Sequence, residues 1–343
     1  GHTASGGTPV ARPFSLFGNP LTAAQERRAL AWQQDFVDRF DIDRDETYTL
    51  SSVPNTRLPD TGWGLRDVVR SDEGEPIGGP DEILVATVRM GFGHYRIAMA
   101  GASAAAAMGL TPLWLDLLSI PGTTSDVIGW WNTNYSKYSR LSQRSGLFNR
   151  FVWESVTTGD RTLPGLNWAL NRYAIGWPWR FIKANARDYR MSELFAPLHR
   201  ALPSDMPLLA SHMWNAMGAV AGDMTGVVNM MFDNWPMSFQ LIEGAQHGVQ
   251  SPSGYYGFRA MRGFDEQGRI LEPTPADAIH WVGHHVDHEL VEHIEVDTQA
   301  RLARMTGGEP RRLMLTMGGA GAQRELFAAI IEPYADEPFV ESV

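Results

Sequence analysis

The chain has 343 residues, of which 43% are hydrophobic and 20% charged, so it can bury a sizeable core and is not a disordered polymer. The absence of cysteine excludes disulfides, thiolate metal sites and a cysteine nucleophile. A net charge of −10 argues against nucleic-acid binding, and we expect a cytoplasmic protein with neither a spanning helix nor a signal peptide.

Residues 1–80 are predicted to form an N-terminal extension with one helix. Thr22 and Gln25 have the spacing of a capping box, which predicts a helix over residues 23–40. Residues 50–80 are rich in Gly, Pro and Asp, and this composition predicts a loop.

A βαβ unit is predicted next. Residues 83–88 form a continuous β-branched run, typical of a strand buried on both faces of a parallel sheet. A glycine turn, an alanine-rich helix over 95–108 and a second strand over 112–116 follow it. This unit predicts a Rossmann-like domain over residues 81–278.

The same order of elements is predicted again near the end of the chain. A hydrophobic strand over 312–317 leads into a glycine loop over 318–323 and then a helix. Two such units predict an α/β protein with two Rossmann-like domains, the second covering residues 279–343. Because only about 60 residues follow Ile279, we expect this second domain to be incomplete in the chain.

The second glycine loop is a candidate phosphate site. Glycine allows the backbone to approach an anion closely, and the next helix offers free N–H groups. The alternative is that the glycines only permit a tight turn. The loop has neither the dinucleotide-binding nor the Walker pattern. Its candidate binding residues are Gly318, Gly319, Ala320, Gly321, Ala322 and Gln323.

The first glycine turn contains Gly91, Gly93 and His94. It follows a strand of an open α/β sheet, which is where such sheets bind ligands. A histidine there can act as a general base or contact a ligand, because its reference pKa lies near 6.5. The alternative is that His94 caps the helix.

Two aspartates follow other predicted strands. Asp233 comes after the strand over 226–231 and could serve as a base or orient an acceptor hydroxyl. An Asx turn explains it equally well. Asp116 ends the second strand, and we predict that it is a turn residue.

Residues 130–190 are basic and aromatic, with ten Lys or Arg, three acidic residues and six of the twelve Trp. Two interpretations stay open: a peripheral membrane contact with a lipid or lipid-like acceptor at the inner membrane surface, or ordinary core with solvated charges. The histidines near residues 280–293 are predicted to be structural or part of an interdomain hinge, because the zinc-binding order H-E-x-x-H is missing.

The two glycine turns resemble those of GT-B glycosyltransferases. Residues 91–94 are similar to the N-terminal Gly-x-Gly-His turn of the lipid-linked N-acetylglucosaminyltransferase and monogalactosyldiacylglycerol synthase group. Residues 318–322 resemble the Gly-Gly-Ser-x-Gly-Ala loop of the second domain in that group, and residues 281–283 resemble the segment that enters it.

This resemblance implies a hexosyltransferase-like enzyme that uses a nucleotide-diphosphate sugar and no metal or other cofactor. The C-terminal domain would bind the donor, the N-terminal domain would bind a lipid or glycan acceptor, and His94 or Asp233 would be the catalytic base. Two alternatives stay open. One is a non-catalytic subunit completed by a partner chain or a second copy. The other is a sugar-nucleotide epimerase, for which His94, His212 and Asp233 are candidates.

Overall fold

The computed structural model describes residues 14–58, 61–149, 178–234, 238–259, 272–309, 314–316 and 324–334. These residues form an α/β fold, the class that the sequence predicts. It is built on one eight-stranded mixed sheet, with a separate two-stranded hairpin. The strands in chain order are β1 (Ser15–Leu16), β2 (Asn19–Pro20), β3 (Leu50–Pro54), β4 (Arg66–Arg70), β5 (Glu82–Thr87), β6 (Thr111–Asp116), β7 (Leu208–Ala210), β8 (Val227–Met230), β9 (Gln246–Val249) and β10 (Ile279–Trp281).

The helices surround this sheet. In chain order they are α1 (Ala23–Phe40), α2 (Phe92–Ala107), α3 (Thr123–Arg144), α4 (Gly146–Phe148), α5 (Pro178–Ser192), α6 (Ala196–Arg200), α7 (Met213–Ala221), α8 (Pro252–Arg259), α9 (His288–Glu292), α10 (Ile294–Thr306) and α11 (Arg324–Ile331). Among the helices of these ranges, none combines the length and hydropathy that a membrane crossing requires.

The order of the sheet is β10-β9-β8-β7-β5-β6-β4-β3, and only β3 and β4 pair in antiparallel orientation. The chain starts the parallel part at β5, moves to β6 on one side and then returns to β7 on the other. The sheet therefore has a topological switch point between β5 and β7, and open α/β sheets bind ligands at the carboxyl ends of such strands.

The prediction of a loop over residues 50–80 is wrong, because β3 and β4 lie within it and extend the main sheet. Hydrogen bonds between polar side chains stabilise these strands, whose sequences lack a regular alternation of apolar and polar residues. The Arg66 Nε donates to Ser52 Oγ at 3.0 Å, and Asn55 Nδ2 donates to Asp67 Oδ1 at 2.7 Å. The turn-forming residues around them obscured this pattern in the sequence.

Helix α1 begins with the capping box that the sequence predicts. Thr22 Oγ1 accepts from the Gln25 backbone N–H at 3.2 Å, and the Gln25 side chain accepts from the Thr22 backbone N–H at 2.9 Å. A buried ion pair then joins α1 to α5, since the Arg190 guanidinium lies between the carboxylates of Glu26 and Glu193.

Helices cover both faces of the sheet. On one face, Ala98 and Ala102 of α2 pack with Val85 and Trp114. The larger core lies on the opposite face, where α3, α5 and α7 cover the other side of the same strands. Strands β5 and β6 are therefore buried on both faces, as the sequence predicts.

The chain leaves the sheet after β10. Helices α9 and α10 bury none of their apolar side chains in the described structure. Of the predicted strand over 312–317, the described residues 314–316 are not in a strand, and the others lie outside the described ranges. The whole loop over 318–323 also lies outside them.

Candidate active site at the carboxyl edge of the sheet

The carboxyl ends of β5 and β7 meet at the switch point of the sheet. Ala86 of β5 is in register with Ala210 of β7, and the next residue on each strand carries a hydroxyl. The Ser211 Oγ donates to Thr87 Oγ1 at 3.0 Å, and both side chains are fully buried. This bond holds together the two turns that carry the histidines described below.

The turn after β5 requires glycine at its last position. Gly91 precedes α2 with a φ of +144°, which a side chain would strain, and no side chain caps this helix. His94 instead points across the edge of the sheet, where its Nδ1 lies 3.0 Å from the Ser211 carbonyl oxygen. The alternative that His94 caps α2 is therefore wrong.

The contact with Ser211 determines the tautomer of His94. A carbonyl oxygen can only accept a hydrogen bond, so Nδ1 carries the proton and Nε2 keeps a free lone pair. Burial lowers the pKa of His94, and the bond to the Ser211 carbonyl only partly opposes this shift. His94 is therefore neutral near pH 7 and can accept a proton at Nε2.

His212 packs against His94 with the opposite tautomer. Its Nδ1 accepts the Trp214 backbone N–H at 3.2 Å at the start of α7, so Nε2 carries the proton and is a donor. The two rings meet edge to face with centroids 4.6 Å apart. Burial lowers the pKa of His212 well below its usual value, and the proximity of His94 adds to this shift.

The segment after β8 completes the wall of this site. The Phe232 ring lies 4.4 Å from the His94 ring and stacks over His212 at 5.8 Å. Asp233 follows Phe232 directly in the chain and is partly buried. Both of its predicted roles, base and turn residue, stay predictions.

Asp116 is a turn residue, as the sequence predicts. Its Oδ1 accepts the Leu118 backbone N–H at 3.0 Å, and its Oδ2 accepts the Ser119 hydroxyl at 3.2 Å. Arg89 approaches the same carboxylate to 3.4 Å. These three contacts occupy the carboxylate at the end of β6.

Asp188 is an ionisable residue close to His212, and the sequence analysis did not identify it as a candidate. It lies on α5 close to Trp214, whose ring centroid is 4.6 Å from that of His212 and 5.9 Å from that of Trp131. Burial raises the pKa of Asp188 to about 6, although Arg187 and the Trp214 indole favour its charged form. The one signal in the sequence was an acidic residue within an otherwise basic, aromatic helix.

A segment that we call the strap, residues 282–289, crosses the carboxyl edge from β10 to α2. The His284 Nδ1 lies 3.1 Å from Gln250 Oε1 beyond β9, and the His285 Nε2 lies 3.3 Å from the Met231 carbonyl oxygen beyond β8. The strap therefore passes β9 and β8 in turn, on its way to the strands of the switch point.

Polar contacts attach the far end of the strap to α2. Asp287 pairs with Arg96 at 2.7 Å, and the Ser103 hydroxyl donates to Glu289 at 2.6 Å. The Glu289 carboxylate also accepts the Trp63 indole N–H. Since α9 starts only at His288, the histidines of the strap do not share a helix face, and in the described ranges no three potential ligands converge on a metal-sized point.

Trp130 and Trp131, in the basic stretch, are partly buried and pack against the main hydrophobic core. Trp130 and Trp131 pack against Phe36 with centroids 5.7 Å and 6.2 Å away, and Arg187 stacks 4.0 Å above Trp32. This arrangement favours the core interpretation for these residues. Membrane contact through 130–190 stays a prediction, and residues 150–177 lie outside the described ranges.

The structure describes only one of the two predicted glycine turns. Gly91, Gly93 and His94 lie at the switch point with Asp233 nearby, whereas the loop from Gly318 to Gln323 is not among the described residues. The grouping of the two glycine turns around one cleft stays a prediction.

Comparisons with known proteins place the chain in a family without assigning it an activity. The family model described as Domain of unknown function (DUF6938) matches residues 274–340, and no curated protein or solved structure matches the chain. A second family model matches residues 15–260, which is more than half of the sequence. The chain therefore belongs to the family described as Domain of unknown function (DUF6937).

Proposed function

We propose that this protein is a glycosyltransferase with the two-domain arrangement of the GT-B class. It would transfer a sugar from a nucleotide-diphosphate sugar to the hydroxyl group of an acceptor. The residues of the first glycine turn and its position at a switch point support this proposal. The resemblance of residues 318–322 to a donor-binding loop supplies the second half of the site.

One observation carries the proposal: the complementary tautomers of His94 and His212. His94 offers a lone pair at Nε2 and His212 offers a proton at Nε2, with ring centroids 4.6 Å apart. A hydroxyl group can donate to the first and accept from the second at the same time. Neither an ammonium group nor a carboxylate can satisfy both histidines.

In the proposed reaction, His94 Nε2 removes the proton of the acceptor hydroxyl as its oxygen attacks the anomeric carbon. The bond from this oxygen to the anomeric carbon forms while the bond from that carbon to the diphosphate breaks. The diphosphate leaves with the electron pair and is stabilised by the backbone N–H groups of the loop over 318–323. Asp233 is the second candidate for the base.

Calorimetric titration of the full chain with nucleotide-diphosphate sugars tests the donor half of this proposal. We expect saturable binding of at least one nucleotide sugar, and the absence of binding by all common ones would refute the assignment. The acceptor half is tested with His94→Ala, which we expect to lower turnover by about 10²- to 10⁴-fold. His280→Ala is the matched control, because this exposed histidine contacts Gln246 on β9.

A second candidate function is a non-catalytic subunit that a partner chain completes. It is favoured by the apolar side chains that α10 exposes, with Ile294 58%, Val296 66% and Met305 77% accessible. Size-exclusion chromatography with light scattering tests it. A stable oligomer that binds no nucleotide sugar would support this candidate, and a monomer with transferase activity would exclude it.

A further inference from the structure

The second half of α3 carries a cluster of positive charges. Lys137, Arg140 and Arg144 are three and four residues apart, so they share one side of the helix, and all three are exposed. Residues 127–149 contain no acidic residue, although the whole chain has a net charge of −10. This cluster, which we call the basic face, is a local exception in an acidic protein.

The charges of the basic face are not neutralised by the described part of the chain. Within those ranges, no carboxylate lies at ion-pair distance from any of its three side chains. Other arginines do find carboxylates, as Arg70 does with Glu46 at 2.7 Å and Arg96 with Asp287 at 2.7 Å. The basic face can therefore attract an anionic partner from outside the chain.

Apolar side chains lie next to the basic face. Tyr138 is 43% exposed, Leu141 is 41% exposed, and Leu147 on α4 is 73% exposed. Tyr138 and Leu141 each follow a residue of the basic face by one position, so the apolar and basic side chains form adjacent stripes. The Phe148 ring stacks on the Tyr138 ring with centroids 6.2 Å apart, so α4 continues the same surface.

This combination fits the surface of an anionic membrane. Leucine side chains can enter the boundary of the acyl chains, tyrosine is favoured at the level of the headgroups, and lysine and arginine are attracted by anionic lipids. Binding of a nucleic acid instead relies on bases that stack on aromatic rings, and exposed leucines offer no such contact. A second copy docked through this face would meet the same positive charges.

Helix α3 brings this surface to the carboxyl edge of the sheet. The Asn132 Nδ2 donates to the Arg89 carbonyl oxygen at 3.3 Å, just before the first glycine turn. The Trp131 ring lies 5.9 Å, between centroids, from the Trp214 ring at the start of α7. The helix thus passes the turns that follow β5 and β7 immediately before the basic face begins.

We propose that the basic face and the exposed apolar side chains of α3 and α4 bind the surface of a membrane that contains anionic lipids. This inference goes beyond the proposed function, because membrane binding requires neither a sugar donor nor turnover. It also restricts the predicted membrane contact over 130–190 to one described surface, since Trp130 and Trp131 pack on the core. A protein bound in this way holds the switch point of its sheet close to the lipid headgroups.

Co-sedimentation of the full chain with lipid vesicles tests this proposal. One set of vesicles contains phosphatidylcholine alone, and the other contains equal parts of phosphatidylcholine and phosphatidylglycerol. We expect binding to the anionic vesicles, weaker binding to the neutral ones, and a decrease in the anionic case when the salt concentration rises.

The charge variant combines Lys137→Gln, Arg140→Gln and Arg144→Gln. It should lower the partition coefficient on anionic vesicles by about 5-fold for each charge removed. The matched control combines Arg27→Gln and Arg28→Gln, two exposed positions on α1, and should bind as the wild type does. Thermal unfolding of each variant verifies its fold.

Leu147→Ser tests the apolar part of the surface with one exposed side chain, at little risk to the fold. It should weaken binding to the anionic vesicles by about 10-fold. The proposal is overturned if the wild type binds no anionic vesicles, if it binds both compositions equally, or if the charge variant and Leu147→Ser both bind as the wild type does. It is also overturned if a single-stranded oligonucleotide prevents vesicle binding. Vesicle binding without any binding of nucleotide sugars would refute the transferase proposal and leave this inference standing.

Discussion

His94 and Ser211 are joined across the carboxyl edge of the sheet by a hydrogen bond of 3.0 Å, although 117 residues separate them in the chain. The acceptor is a backbone carbonyl, so this bond holds His94 in one tautomer whatever the side chain at position 211. The lone pair of Nε2 is thereby available at the switch point of the sheet, at the carboxyl ends of β5 and β7.

The first prediction concerns the pH dependence of transfer. Because burial lowers the pKa of His94, its basic form persists below pH 6.5. We expect kcat/KM to rise with pH to a plateau, with a midpoint below 6.5, in a profile measured with a bound donor. Ser211→Ala keeps the carbonyl and should keep this midpoint. A midpoint at or above 6.5 would show that another group is the base.

The second prediction concerns the carboxyl group of Asp188. The pKa of Asp188 is raised to about 6 in the folded protein. The folded state therefore binds the carboxyl proton more tightly than the unfolded chain does. Above pH 6 the carboxyl is charged, and its charge lowers the free energy of unfolding. Asp188→Asn should therefore raise the free energy of unfolding at pH 7.5 by about 1–3 kcal/mol.

Urea unfolding of Asp188→Asn at several pH values measures this effect. The gain should shrink as pH falls from 6 and disappear below about 4, where the unfolded carboxyl also binds its proton. Asp205→Asn, at an exposed position, is the control and should leave the free energy of unfolding at pH 7.5 unchanged. An equal gain at pH 7.5 and at pH 4 would contradict the electrostatic explanation.

The third prediction is a loss of stability in acid. Burial lowers the pKa values of His199 and His247 to about 4, whereas in the unfolded chain they stay near 6.5. Between these values the unfolded chain binds more protons, so the free energy of unfolding should decrease as pH falls from 6.5 toward 4. Each histidine contributes at most about 1.4 kcal/mol per pH unit.

His247→Gln tests the contribution of one of these histidines. The His247 Nε2 accepts the Ile242 backbone N–H at 2.9 Å, and its Nδ1 donates to the Ala278 carbonyl at 2.8 Å. The variant loses part of this network and should be less stable at pH 7.5, with a shallower dependence on pH below 6.5. A slope as steep as that of the wild type would exclude His247 as a source of acid sensitivity.

The fourth prediction compares two helical glycines. A Cβ on Gly218 in α7 would lie 2.8 Å from His199 Cε1 and 3.2 Å from Phe195 Cβ, whereas one on Gly129 in α3 would meet nothing closer than 4.0 Å. Gly218→Ala should lower stability by about 1–3 kcal/mol through overpacking. Gly129→Ala should raise stability by about 0.5–1 kcal/mol through helix propensity. Thermal unfolding of the two variants measures both effects, and a stabilised Gly218→Ala would contradict this packing.

Local features of the chain were predictable because their causes lie within a few residues. The capping box at Thr22 and Gln25 predicts the start of α1, and the hydrophobic run over 83–88 predicts β5, which the structure has over Glu82–Thr87. The turn from Gly91 to His94 follows from its glycines between a strand and a helix. The prediction failed for β3 and β4, because the polar residues that pair there are typical of loop sequences.

The sequence by itself determined the α/β class, the first glycine turn and the candidate base His94, because hydrophobic periodicity and glycine placement act over one element. Only the tertiary structure decided that His94 meets His212, that Asp188 lies partly buried beside Trp214 and that the strap passes the same edge. These contacts depend on the order of the strands in the sheet. The pairing of β5 with β7, on which the histidine contact depends, joins segments more than a hundred residues apart, and no local pattern encodes it.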